Sequence, residues 1–100
     1  YRIFSLEDEK AIQTGLKEVD LVINCATNAA VHGKAFIQQA IAQGAHYLEV
    51  DSSVVGSEYL HHHHQEALRS GSVLMNGVGF ESVAGDCLAA LLRARLPDGI

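Results

Sequence analysis

One hundred residues, 48% of them hydrophobic, with 9 Gly and a single Pro, suffice for one domain of roughly 5,500 Å² folded surface but not for two cores. The same composition excludes collagen-like, low-complexity and disordered classes. Twelve acidic against seven basic residues give a net charge of -5, which argues against general binding to nucleic acid or to an anionic membrane surface.

Tyr1 to Leu6 has the pattern of a short strand end. The following SLEDEKAIQTGLKEV reads as a helix, with Ser5 and Asp8 at capping-box spacing and Ala11, Ile12, Leu16 and Val19 on one apolar face. DLVINCA is a continuous apolar run of strand length, as expected of a strand covered on both faces. Asn28 can cap the helix AAVHGKAFIQQAIAQG, whose stripe runs through Gly33, Ile37, Ala40 and Ile41 and which Gly44 stops. HYLEV forms the next strand. SEYLHHHHQEALRSG predicts one polar helix held by Leu60, Ala67 and Leu68 and ended by Gly71, and SVLMNGVGF a strand entering a glycine turn. ESVAGDCLAALLRARL closes the chain as a helix with Val83, Cys87, Leu91 and Ala94 on its core side.

The order is β-α-β-α-β-α-β-α, which points to an α/β fold with a four-stranded parallel sheet and helices on both faces. Ligands of such sheets bind where loops leave the C-terminal strand ends. Three groups occupy those positions: Cys25 to Asn28, Asp51 to Ser53, and Asn76 to Glu81. Thr27 and Asn28 suit either a loop beneath a nucleotide or plain helix capping. Asp51 and its serines suit either a ribose hydroxyl or a cap. Gly77 and Gly79 permit close backbone approach, with Asn76 able to meet a ligand amide or carbonyl. Glu81 and Asp86 favour the dipole of the last helix and are available to a substrate or partner domain.

No GxGxxG and no GxxxxGK[ST] is present, so the phosphate-cradling turn of either nucleotide fold is absent from these residues. His61 to His64 lie inside helix-patterned sequence; His61 and His64 face the same way, but two imidazoles without a third ligand make no metal site, and none is assigned. His32 and His46 have no sequence partner for acid-base work. Cys25, at a strand end, and Cys87 read as small packed hydrophobes. Two cysteines without CxxC spacing set a reducing, cytoplasmic compartment as the default. No apolar run reaches the 18 residues of a membrane span.

DLVINCA, Gly33, QQAIAQGAHYLEV and GVGFESVAGD resemble, in order and spacing, the strand-four to strand-six region of the nucleotide-binding domain of the saccharopine dehydrogenase-like family, including its trans-acting enoyl reductase-like branch. The resemblance runs from about Asp20 to Leu96, with RIFSLEDEKAIQTGL as the third strand and its helix. It implies that residues 1–100 are a partial Rossmann-like domain of an oxidoreductase using NAD or NADP. The first two strands and the phosphate loop would precede Tyr1, the substrate domain would follow Ile100, and the full-length protein could associate with a membrane. Cys25, Ala26, Thr27 and Asn28 stand where the family has Cys-Ala-Gly-Pro beside the cofactor. Asn76, Gly77 and Gly79 complete the cofactor-binding set, with Asp51, Ser52 and Glu81 toward the substrate. Glu49 stands in place of an Asp, Ser52 and Ser53 in place of Gly-Glu, and Glu81, Ala84 and Gly85 in place of Asp, Pro and Ser. The resemblance implies hydride transfer between a nicotinamide and a small-molecule substrate, and nominates no proton-transfer residue. The partners it implies are that substrate and the flanking parts of the same chain; the open edge of the first strand would also invite homo-oligomers. The lost Gly-Pro and Ser-Pro positions motivate the alternative of a noncatalytic Rossmann-like interaction module.

Overall fold

The computed structural model describes residues 1–26 and 29–96 of the chain, and the side chains of residues 29–32 lie outside that description. It is an α/β fold with a parallel sheet flanked by helices, consistent with a Rossmann-like arrangement. In chain order the elements are α1 (Glu9–Gly15), β1 (Leu21–Asn24), α2 (Ala29–Gln43), β2 (His46–Glu49), α3 (Val54–His62), α4 (His64–Ser70), β3 (Leu74–Met75) and α5 (Phe80–Arg95). The strands lie in sequence order, β1-β2-β3. Leu21 pairs with His46 and Asn24 with Glu49, and β3 joins β2 at Tyr47↔Leu74 and Leu48↔Met75.

Among the described residues three strands form where four are expected. Residues 1–6 are irregular, because no neighbouring strand among the described residues satisfies their backbone groups. They are tied to α1 instead. Arg2 donates from Nη1 to the carbonyls of Gly15 (2.7 Å) and Lys17 (2.8 Å) at the end of that helix. Phe4 lies over Gly15, where any side chain would collide with its ring, and against Phe36 at 6.4 Å between centroids. At the other end, Asp8 caps α1 by accepting from the N–H groups of Lys10 and Ala11, while Ser5 Oγ accepts from Glu7 N–H and takes no part in the cap.

One face of the sheet carries Val22, Asn24, Tyr47 and Glu49, all buried, and packs on the helices through Ile12, Leu16, Phe36, Ile37, Ala40, Ala45 and Leu60. The opposite face is open. Leu21 is 44% exposed and Ile23 57%, with Val50 and Met75 similarly uncovered, so β1 alternates rather than being covered on both sides.

The expected single helix over residues 57–71 breaks at His63, whose Nδ1–H donates to the carbonyl of Tyr59 (2.9 Å), the group that a continuing helix would bond through its backbone. Leu60 and Ala67 are buried as expected; Leu68 is exposed. Gly44 and Gly71 adopt left-handed φ of 69° and 74° and end α2 and α4, as helix-stopping glycines do. His46 finds a partner that the sequence did not reveal: its Nδ1 accepts from Val73 N–H at 3.1 Å.

α5 departs furthest from expectation. None of its residues is buried, Val83 and Leu91 are each about half exposed, and Cys87 is exposed. Its apolar stripe is real, but the helix extends away from the sheet and lengthens the molecule to 52 Å. No helix among the described residues is long and apolar enough to cross a membrane.

Candidate functional site

Each parallel strand ends in a loop at the same edge of the sheet, the edge where the strand polarity and outgoing helix termini favour ligands. The loop after β1 contributes Cys25 and Ala26, that after β2 Val50, Asp51 and Ser52, and that after β3 Gly79 with Phe80, Glu81 and Ser82 of α5. Together they line a cleft of about 540 Å³. Six of the residues expected from sequence therefore meet in one place: Cys25, Ala26, Asp51, Ser52, Gly79 and Glu81.

Backbone hydrogen bonds set the third wall. Gly77 N–H donates to the Asp51 carbonyl (2.9 Å) and Val78 N–H to the Glu49 carbonyl (3.1 Å), folding the chain after β3 back across the end of β2. Gly77 has φ 67°, which a side chain would strain. At Gly79 a Cβ would stand 2.7 Å from the Val50 carbonyl oxygen, so only glycine lets the loop approach so closely.

Two expected residues take other places. Asn76 donates from Nδ2 to Ser57 Oγ at 2.6 Å, and it lines a separate hollow of about 350 Å³ with His61 and His64. Gly77 shapes the turn without lining the cleft. Thr27 and Asn28 lie outside the described residues. Cys25 is an exposed free thiol on the cleft wall, not a packed hydrophobe; its strand ends at Asn24, one residue short of it. Among the described residues no three His, Cys, Asp or Glu side chains come together to hold a metal ion. A hollow of about 890 Å³ between Arg2–Phe4 and α1 lies away from the C-terminal strand ends.

Beneath the cleft lies a polar network that the sequence reading missed. Asn24 Oδ1 accepts from Ala26 N–H (3.0 Å) and its Nδ2 donates to the Tyr47 hydroxyl (3.0 Å), which in turn donates to Glu49 Oε2 (3.1 Å). Asn24 is 6% exposed, Tyr47 0% and Glu49 1%. Burial pushes the Glu49 carboxyl above the ordinary carboxylate range; the Tyr47 hydrogen bond opposes this, and repulsion from Asp51 adds to it. Burial likewise pushes the Tyr47 phenol above its usual range, against the pull of Asn24. Glu49 Oε1 has no hydrogen-bond partner among the described residues. Gly33 makes room for the pair: a Cβ there would stand 3.2 Å from the Tyr47 hydroxyl. The signal for this network was available as two polar residues, Asn24 and Glu49, closing otherwise apolar strand runs.

The donor set of the cleft is two carboxylates, Asp51 and Glu81, and two hydroxyls, Ser52 and Ser82, around Phe80 and Val50. Among the described residues that line it there is no lysine or arginine. Such a set suits sugar hydroxyls and a carboxamide and suits phosphate poorly. In comparison with known proteins, the family model of the saccharopine dehydrogenase NADP binding domain matches residues 2–75. No curated protein and no solved structure matched the chain.

Proposed function

The chain belongs to the saccharopine dehydrogenase NADP-binding domain family, and on that premise we propose that its cleft forms the nicotinamide-side wall of an NAD(P)-dependent oxidoreductase. The observation that carries this reading is the convergence of all three strand-end loops on one cleft of about 540 Å³. Asp51 and Glu81 would accept hydrogen bonds from ribose hydroxyls, and Ser52 and Ser82 would meet the carboxamide. A nicotinamide bound there supplies hydride transfer to or from a small substrate. The chain's own contribution is to hold the ring end of the cofactor against Val50 and Phe80. The pyrophosphate grip belongs to residues other than the cleft lining.

The uncovered sheet face supports the further proposal that other parts of the same polypeptide pack there. Leu21, Ile23, Val50 and Met75 on that face are each about half exposed, an apolar surface of the kind that a packing partner covers. A reducing, cytoplasmic setting fits the two free thiols.

The chain contains no tryptophan, so the fluorescence of NADPH can be followed without interference. Titration with NADPH and NADH is expected to give weak saturable binding, with a Kd on the order of 1 mM. Ser52→Tyr, at an exposed position on the cleft wall, should abolish it. Equal binding by the Ser52→Tyr variant would reject the cleft as the nucleotide site.

A further inference from the structure

We propose that Asn24, Tyr47 and Glu49 are positioning residues: a buried relay that fixes the backbone of Cys25 and Ala26 on the cleft wall without any of the three touching a ligand. Every link is a direct hydrogen bond. Ala26 N–H is held by Asn24 Oδ1, Asn24 is oriented by the Tyr47 hydroxyl, and Tyr47 is oriented by Glu49. The relay is thus the only polar tether between the core and the Cys25–Ala26 backbone among the described residues with side-chain hydrogen bonds to it.

The three links share one geometric origin. Asn24 and Glu49 are register partners at the ends of adjacent parallel strands, and Tyr47 lies two residues before Glu49 on the same sheet face. An asparagine amide has a donor end and an acceptor end. Its donor end is committed to Tyr47, which leaves the acceptor facing the loop. Without the Tyr47 hydroxyl the amide loses the partner that selects its orientation, and the Ala26 N–H loses a fixed acceptor. Without a carboxyl or carboxamide at 49 the Tyr47 hydroxyl loses its own acceptor, and the buried orphan costs free energy until the network rearranges. Glu49 also anchors the opposite wall, because its backbone carbonyl accepts from Val78 N–H. One strand end therefore sets both sides of the cleft.

The consequence for ligand binding rests on the nucleotide reading above; the relay itself does not. Three readouts on the whole chain separate them, with Cys87→Ser as the background so that Cys25 is the only thiol. They are the Ala26 amide resonance, the rate of Cys25 alkylation by iodoacetamide, and the Kd for NADPH. Tyr47→Phe is expected to displace the Ala26 resonance, raise the alkylation rate about fivefold and weaken NADPH binding by a similar factor, the equivalent of one net hydrogen bond. Glu49→Ala should do the same through Tyr47. Glu49→Gln keeps an acceptor of the same shape and should leave all three within about twofold of the parent, again judged against one hydrogen bond. A Tyr47→Phe or Glu49→Ala protein that is folded by circular dichroism and keeps the parent's Ala26 resonance and Cys25 rate would overturn the relay. Loss of folding in Glu49→Gln as well would also overturn it, since the network would then be a requirement of the core and not a positioning device. If the parent binds no NADPH while the first two readouts change as expected, the nucleotide reading fails and the relay stands.

Discussion

The two faces of the sheet are built from similar apolar strands and end in opposite states. On one, Val22 and Tyr47 meet Phe36, Ile37 and Ala40 of α2 and form a closed core. On the other, Leu21, Ile23 and Met75 stay about half exposed, and so do Val83, Leu88, Leu91 and Leu92 along the apolar stripe of α5. Hydrophobic burial stabilises the first face within the chain. The second has the composition of a core and, among the described residues, no buried side chain. An apolar pattern therefore specifies that a surface is to be covered, and leaves open by which part of the protein.

Substitutions on each face sharpen that contrast. The largest effect is expected for Ile37→Ala, which deletes a 2% exposed side chain and should cost about 2–5 kcal/mol in urea unfolding. Next comes Asp8→Ala, which removes the acceptor for two N–H groups at the start of α1 and should cost about 1 kcal/mol. Leu91→Ala, on a helix with no buried residue, should change stability by less than about 0.5 kcal/mol. A cost for Leu91→Ala equal to that of Ile37→Ala would break the comparison by showing that α5 packs on the chain.

The buried carboxyl adds a pH dependence to the closed face. Glu49 has its folded pKa raised above the ordinary 4.5, so folding favours its protonated form. Its contribution is complete below about pH 4.5 and is lost as pH rises through the raised value. From pH 5 to 8 the urea midpoint should therefore fall by more in the parent chain than in Glu49→Gln. Parallel profiles for the two proteins would show that Glu49 ionises in the fold as it does unfolded.

Much of this organisation was legible in the sequence. The helix ends at Gly44 and Gly71, the parallel order of the strands and the grouping of Cys25, Asp51 and Glu81 at one edge all follow from local chemistry: left-handed glycines, strand-length apolar runs, polar residues just beyond them. What was not legible depended on partners. Residues 1–6 read as a strand because their alternation is strand-like, yet a strand also needs a neighbour. Cys87 read as core because its stripe is apolar, yet no sheet lies beneath it. Asn76 is spent on Ser57 and not on the cleft, a pairing across 19 residues that spacing alone does not disclose. His63 breaks a helix through its own ring, where composition suggested one continuous segment. The Asn24–Tyr47–Glu49 chain was hidden for the same reason, since register between strands decides which polar ends meet.

The central claim is that the strand-end cleft is where the chain meets a nicotinamide nucleotide. It is tested most directly by titrating the ¹⁵N-labelled protein with NADPH and following backbone amides. Cys25, Ala26, Asp51, Ser52, Gly79 and Glu81 are expected to shift together and saturate, while Gly15 and Lys17 beside the 890 Å³ hollow stay in place. Shifts confined to Gly15 and Lys17, or none at the cleft at millimolar nucleotide, would contradict it.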